Sequence, residues 1–231
     1  METKKSPTGF MLIDKPAGIT SHAVISKLRW LTQIKKIGHA GTLDPFATGL
    51  LIVAIGREST KKISEFVKMD KEYEAKILFG AETDTYDSEG KITKEYFCEK
   101  IKKKQINEVL WQFIGKQDQI PPMYSAKKVN GKKLYELARM NIEIERKPCQ
   151  IEIFNLDLMK YSWPTLDVKI KCTSGTYIRT LAFDLGKKLQ CGAYLKSLRR
   201  TKINTFDVSQ AVKLEKLTTD NWQKYLFDLN K

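Results

Sequence analysis

The sequence predicts an α+β fold, and three observations predict it. Strand-like segments come in clusters with helices between them, not in a repeating strand–helix alternation. Apolar residues make up 42% and charged residues 29% of the 231 residues, an ordinary globular balance. With 13 Gly and 7 Pro the chain is too poor in both for a low-complexity or collagen-like sequence, and no internal repeat is visible.

The elements follow in order. Phe10 to Ile13 is a short apolar run stopped by Asp14-Lys-Pro16 and Gly18, a strand entering a turn. Thr20 or Ser21 caps a helix reaching about Gln33, with Val24, Ile25, Leu28 and Leu31 on one face. Gly38-His-Ala-Gly41 breaks the pattern and begins a loop. Leu50 to Ile55 is a continuous apolar run, as in a buried strand, and Gly56 closes it. Ser59 to Lys68 reads as one short helix. Tyr73, Ala75, Ile77 and Phe79 alternate with the charged Glu74 and Lys76, as in a half-buried strand. Lys102 to Gly115 reads as an amphipathic helix through Ile106, Val109, Leu110 and Phe113. Pro121-Pro122 opens a loop, Val129-Asn-Gly131 suggests a tight turn, and Leu134 to Met140 a short helix. Ile151 to Met159 and Leu166 to Cys172 are strands, Tyr177 to Leu189 a helix, and Ala193 to Arg200 a further strand. Val212 to Lys231 suggests one or two amphipathic helices.

Composition narrows the function. Lys and Arg number 41 against 27 Asp and Glu, a net charge of +14, which points to a polyanion, nucleic acid before membrane. A chain that is simply rich in lysine gives the same number without such a partner. The excess is uneven: from Lys91 to Pro148 there are 14 Lys and Arg against 7 Asp and Glu, and Pro121 to Lys133 joins loop chemistry to basic residues that can follow phosphates. The longest apolar run, Leu50 to Ile55, is too short to span a bilayer, and Met1 to Gly9 lacks the apolar core of a signal peptide. A soluble cytoplasmic protein is expected. Cys98, Cys149, Cys172 and Cys191 form no C-x-x-C pair and read as reduced thiols. With two histidines and no Cys/His cluster, no metal site is expected. The phosphate-binding loop, the dinucleotide fingerprint and the serine-hydrolase elbow are all missing. The acidic run Glu82 to Gly90 fails as a calcium loop, because Tyr86 stands at a ligand position and Glu89 where glycine is required.

Three segments can carry chemistry. In Gly38-His-Ala-Gly-Thr-Leu-Asp-Pro-Phe-Ala-Thr-Gly-Leu-Leu-Ile52, one carboxylate, Asp44, sits among glycines that let a ligand or backbone approach closely, just before a rigid strand. An Asp-Pro turn without further role explains the segment equally well. In Ser174-Gly-Thr-Tyr-Ile-Arg-Thr-Leu181, Tyr177 and Arg179 project from a strand-to-helix junction. An arginine there can hold a catalytic carboxylate ionised, or can merely cap a surface acid. Tyr73 can stack on a base or fill the core.

His39-Ala-Gly-Thr-Leu-Asp-Pro-Phe-Ala-Thr-Gly-Leu-Leu51 resembles the signature of the TruB family of tRNA pseudouridine synthases. Four further segments resemble that family in order: Gly9 to Ser21; the Tyr73 strand with Glu82 to Gly90; Pro121 to Arg139; and Ser174 to Arg179 with Ala193-Tyr-Leu-Lys-Ser-Leu-Arg-Arg-Thr201. The resemblance covers about residues 9–210. It implies a pseudouridine synthase fold, a mixed and mostly antiparallel sheet flanked by helices, with a basic thumb-like insertion at about 118–146. It implies isomerisation of the tRNA T-loop uridine conventionally numbered 55. By similarity Asp44 is the nucleophile, Tyr73 stacks on the uracil, Arg179 partners Asp44, Tyr177 and Leu198 wall the pocket, and His39 contacts displaced bases. Lys127, Lys128, Lys132 and Lys133 are expected to bind phosphates. The tRNA T stem-loop is the expected partner, with no cofactor and no metal, and the chain is expected to be a monomer. The catalytic domain is expected over 1–210. The tail at 211–231 is too short for the PUA module that bacterial members usually carry. Rival readings are a synthase acting on another RNA, an RNA-binding or folding factor, and a carboxylate glycosidase, the last disfavoured because it would want two cooperating acids.

Overall fold

A computed structural model describes residues 7–129, 131–140 and 142–228. β1 (Gly9–Lys15) leads to α1 (Ser21–Thr32), whose N-cap is Thr20: its Oγ accepts the Ala23 amide at 3.0 Å. Gln33 ends the helix in the left-handed region. β2 (Ile37–Ala40) follows where a loop was expected, because β3 (Thr48–Ile55) offers it an antiparallel ladder that places His39 opposite Val53. The single helix expected from Ser59 is two, α2 (Arg57–Lys61) and α3 (Ile63–Val67). They part at Lys62, whose amide turns back three residues to the Ser59 carbonyl. β4 (Lys71–Phe79) matches its alternation, and β5 (Ala81–Thr83) and β6 (Ile92–Glu95) form a hairpin around the acidic run.

α4 (Lys103–Trp111) ends earlier than its apolar pattern, and Gly115 opens β7 (Gly115–Gln119). β8 (Lys128–Val129) and β9 (Lys132–Lys133) flank the expected turn, of which Asn130 lies outside the described residues. α5 (Leu134–Arg139), β10 (Cys149–Ser162), β11 (Thr165–Cys172), α6 (Ile178–Lys188) and β12 (Ala193–Ile203) stand where expected. β13 (Phe206–Asp207) and β14 (Val212–Lys213) complete the strands. The tail is not helical as expected. Val212 pairs with Ile13 on β1, and two 3₁₀ turns, Leu214–Lys216 and Trp222–Tyr225, follow. Leu214, Leu217 and Trp222 are buried at i, i+3 and i+8, a spacing an α-helical face would also give, so the apolar pattern by itself reads as helix. Leu229 to Lys231 of that expectation lie outside the described residues.

The chain forms two compact units, one running up to Tyr73 and resuming at Arg199, the other Glu74–Leu198. It passes between them inside β4 and inside β12, so no linker marks the passage. In the first unit the strand order is β14-β1-β3-β12, with β2 also on β3 and β13 on β12. β3 runs antiparallel to β1 and parallel to β12. The continuous apolar run of β3 has a direct cause. Leu51, Val53 and Ile55 pack with Val24, Ile25, Leu28 and Leu31 of α1, while Leu50, Ile52 and Ala54 pack with Phe10, Phe66 and Ile203. Burying the four α1 side chains contributes roughly 1.5–3 kcal/mol each, an upper estimate. In the second unit the order is β12-β4-β11-β10-β7, with α4 against β10 and α6.

Within the second unit Cys98 and Cys191 form a disulfide, Cα atoms 5.8 Å apart, which corrects the reading of four reduced thiols. Their separation of 93 residues hides the pairing from any spacing rule. The backbone brings them together: the Gly80 amide donates to the Cys191 carbonyl at 3.1 Å, and the Tyr96 amide to the Gly80 carbonyl at 2.9 Å. Cys149 and Cys172 are not joined in a disulfide. No described helix is long and apolar enough to cross a membrane.

Candidate active site

In the first unit, the loop between β2 and β3 carries Asp44 and is held from three sides. Lys15, wholly buried at the end of β1, donates to the carbonyls of Pro16 at 2.8 Å, Ile19 at 2.7 Å and Pro45 at 3.1 Å. The Gly18 amide also reaches the Pro45 carbonyl, at 2.9 Å. Ser21, the first residue of α1, uses one hydroxyl twice: Oγ accepts the Leu43 amide at 2.9 Å and donates to the Leu43 carbonyl at 3.1 Å. The residues on both sides of Asp44 are therefore fixed through backbone groups. The Ala47 amide closes a turn onto the Asp44 carbonyl at 3.1 Å. The Asp44 residue itself is half-buried.

Arg200 secures the flanks of the same loop. It is 1% exposed, and it donates from Nε to Leu50 O at 2.7 Å and from Nη2 to Gly41 O at 3.1 Å. Gly49 lies opposite Arg200 in the parallel ladder with φ of 102°, and a Cβ there would fall 2.3 Å from the Arg200 carbonyl oxygen. Only glycine permits that approach. The neighbouring Arg199 forks onto Asp14, at 3.0 Å to Oδ1 and 2.9 Å to Oδ2. His39, on β2, is half-buried, and its Nδ1 is buried without a hydrogen-bond partner among the described residues. Burial first, then the positive charge of Arg200, then His22, hold its imidazole below the usual range, which favours the neutral form. Tyr73 is buried on β4, and its neighbour Glu72 accepts from the Thr201 hydroxyl at 2.9 Å.

In the second unit, Arg179 is the second residue of α6 and only 4% exposed. Nη1 donates to Thr85 O at 2.9 Å and lies 3.4 Å from Asp87 Oδ2, while Nη2 donates to Tyr124 O at 2.7 Å. The buried Asp87 also accepts from the Thr85 hydroxyl at 2.6 Å and the Glu89 amide at 3.0 Å. Tyr177 caps α6, and the Gln119 amide group clamps it, accepting from Tyr177 N at 2.8 Å and donating to Tyr177 O at 3.0 Å. Leu198 is buried on β12. Of the basic residues expected to meet phosphate, Lys128 and Lys132 are exposed. Lys127 donates to the Cys149 thiol and Lys133 to the Tyr135 hydroxyl at 3.2 Å.

His39, Asp44 and Tyr73 thus lie in one unit, and Tyr177, Arg179, Leu198 and the four lysines in the other. Sequence reasoning missed Lys15, Arg200, Gln119 and Asp87. The first two act on carbonyls, which carry no side-chain signature. Asp87 stands in an acidic run that fails as a calcium loop and resembles the family only as a whole segment, so nothing singles it out. Among the described residues no group of three or more His, Cys, Asp or Glu is placed to hold a metal ion.

Residues 29–178 match the TruB family pseudouridylate synthase N-terminal domain, and residues 179–229 match the tRNA pseudouridylate synthase B C-terminal domain. A tRNA pseudouridine synthase B of Dehalococcoides mccartyi (strain CBDB1) is 48% identical over 204 residues, 88% of this chain and 68% of that protein. Its counterpart in Endomicrobium trichonymphae is 46% identical over 218 residues, 94% of each chain. The fold is similar to a chain of a solved Cbf5-Nop10-Gar1 complex, with a TM-score of 0.71 at 24% identity over 93% of this chain. It is also similar to one in an H/ACA RNP bound to a substrate RNA containing 2′-deoxyuridine, with a TM-score of 0.68 at 23% identity. This chain spans about half the length of those two solved chains, 54% and 53%. With matches that cover nearly its whole length, the chain belongs to the TruB family of pseudouridylate synthases.

Proposed function

We propose that this protein isomerises the T-loop uridine of tRNA, the position conventionally numbered 55, to pseudouridine, with Asp44 as the nucleophile. The relatives named tRNA pseudouridine synthase B, at 46–48% identity, support the reaction and the RNA class. The observation that carries the assignment of Asp44 is its setting. The loop is fixed at Leu43 and Pro45 by Ser21 and Lys15, yet the carboxylate residue between them is not buried. That is the form of a preorganised nucleophile.

The rearrangement breaks the C1′–N1 bond and makes a C1′–C5 bond within one nucleotide; the C5 proton leaves and N1 gains one. It is redox-neutral and adds no atom, so its chemistry asks for no cofactor. Asp44 has two routes, addition to the uracil ring or capture of C1′ after glycosidic cleavage. Tyr73 stacks on the uracil, Tyr177 and Leu198 wall the pocket, and His39 meets the bases displaced when the target is extruded. Arg179 holds Asp44 ionised. A neutral His39 suits contact with uncharged bases. The catalytic domain is taken as 1–210 with the basic insertion at about 118–146, and the protein acts as a cytoplasmic monomer on the T stem-loop. The test is incubation with an unmodified tRNA transcript, followed by mapping at single-nucleotide resolution. Pseudouridine at the T-loop uridine is expected. None at all, or pseudouridine only elsewhere, overturns the reading.

A further inference from the structure

The helix that buttresses the Asp44 loop has an exposed side that takes no part in holding that loop. Between Asp14 and Asp44 the chain contains five Lys and Arg and no Asp or Glu. α1 buries Val24, Ile25, Leu28 and Leu31. Its other side exposes Lys27, Arg29 and Trp30, and the turn after it exposes Lys35 and Lys36. Gln33, in the left-handed region, starts that turn, and its side chain bonds back to the Trp30 carbonyl at 2.6 Å. Arg29 donates to the Ile37 carbonyl at 3.4 Å, tying the turn to the helix.

An ordinary solvated helix face mixes charges of both signs. α2 and α4 do so, pairing Lys61 with Glu58 and Lys104 with Glu108. α1 has no acid to pair with, and Lys27, Lys35 and Lys36 form no ion pair among the described residues. Trp30 is 68% exposed on this cationic face. A bare indole costs solubility and contributes nothing to the core, but beside several cations it provides what single-stranded or looped RNA binds: a ring for a base and charges for phosphates.

We infer that the Lys27, Trp30, Lys35 and Lys36 face of α1 is a second tRNA-binding surface, separate from the basic insertion. The inference rests on tRNA being the substrate. The face belongs to the same helix that holds the Asp44 loop, since Ser21 at the start of α1 grips Leu43 beside Asp44. Trp30 lies nine residues further on, about 14 Å along the helix axis. RNA contacts at that distance fall outside the target nucleotide, so they set affinity and leave the rearrangement itself unchanged.

The experiment compares the parent, a Lys27→Ala/Lys35→Ala/Lys36→Ala variant and Trp30→Ala in titrations with unmodified tRNA at several salt concentrations. Single-turnover rates at saturating tRNA are measured alongside, with circular dichroism and thermal unfolding as checks of folding. The triple variant should flatten the slope of log K against log salt by about 2 units, at roughly 0.7–0.9 for each lost phosphate contact. Trp30→Ala should weaken binding about fivefold or more at unchanged slope, the signature of lost stacking. Both should keep the parent's saturated rate. Variants that match the parent in affinity and slope would overturn the inference. A triple variant that binds tRNA normally but loses the parent's adhesion to phosphatidylserine vesicles would also overturn it, assigning the face to a membrane instead. If the parent itself neither binds nor modifies tRNA, the failure lies with the proposed function.

Discussion

The loop that carries Asp44 and the insertion that carries Lys128 and Lys132 are both read from sequence as irregular, polar and glycine-containing, yet they are built in opposite ways. Around Asp44, buried cations and a buried hydroxyl bind backbone carbonyls: Lys15 on Pro45, Ser21 on Leu43, Arg200 on Gly41. In the insertion, two strands of two residues and a six-residue helix frame lysines that point to solvent. The difference follows the tasks proposed for them. A nucleophile must be held to within a fraction of an ångström. A grip on phosphates works through screened, long-range attraction and tolerates motion.

The strongest test of the contrast is Asp44→Asn. The amide keeps the shape and removes the nucleophile, so single-turnover pseudouridine formation should fall at least about a thousandfold while tRNA affinity stays near the parent's. Residual turnover close to the parent's would break the assignment.

A matched pair of glycine substitutions compares the two regions directly. Gly49 has a φ of 102° and a Cβ there would meet backbone at 2.3 Å; Gly131 has a φ of 81° with nothing within 4 Å. Gly49→Ala should cost roughly 3 kcal/mol or more in chemical denaturation, from strain and overlap together. Gly131→Ala should cost about 1 kcal/mol, from strain alone. Equal losses would mean that the two loops are equally constrained.

Arg179→Lys asks whether a planar fork is required. An ammonium cannot reach Thr85, Asp87 and Tyr124 as the guanidinium does. Turnover should fall roughly 10- to 100-fold, the worth of one charge-assisted hydrogen bond or two. A lysine variant as fast as the parent would show that charge alone matters.

Changing Lys127, Lys128, Lys132 and Lys133 together to Ala should weaken tRNA binding and lower the salt slope by about 1.5 units, because Lys128 and Lys132 are exposed to meet phosphate while Lys127 and Lys133 are engaged with Cys149 and Tyr135. A drop near 3 units would mean that Lys127 and Lys133 leave their present partners when RNA binds.

The smallest effect concerns His39. Its folded-state pKa lies below the ordinary value of about 6.5, so the unfolded chain binds the proton more readily. Stability should therefore be full above about pH 6.5 and decline as pH falls toward the folded-state pKa. Comparing His39→Gln with the parent in urea unfolding between pH 5 and 7 isolates the contribution. An unchanged pH dependence would rule it out.

Local patterns in the sequence were enough for most elements, because helix and strand leave their period in the apolar residues. α1 shows it from Val24 to Leu31 and β4 from Tyr73 to Phe79. β2 was missed because an edge strand of four residues owes its form to the neighbouring ladder. The tail was misread because Val212, Leu214, Leu217 and Trp222 are apolar for a core that β1 and α1 supply. The motifs located Asp44, Tyr73 and Arg179. They could not show Asp87 as a partner of Arg179, since 92 residues separate the two.

What the sequence determined by itself was the α+β class and the family, and it singled out the carboxylate to which the chemistry is proposed to belong; all of these reside in residue type and short-range order. What only the tertiary structure decided was how that carboxylate is held. Lys15, Arg200 and the Cys98–Cys191 bridge are ordinary letters until folding sets Lys15 and Arg200 against carbonyls up to 159 residues away and joins thiols 93 residues apart. Backbone oxygens are identical at every position, so no sequence pattern marks which of them a buried cation will meet; the packing of β1, β3 and β12 makes that selection.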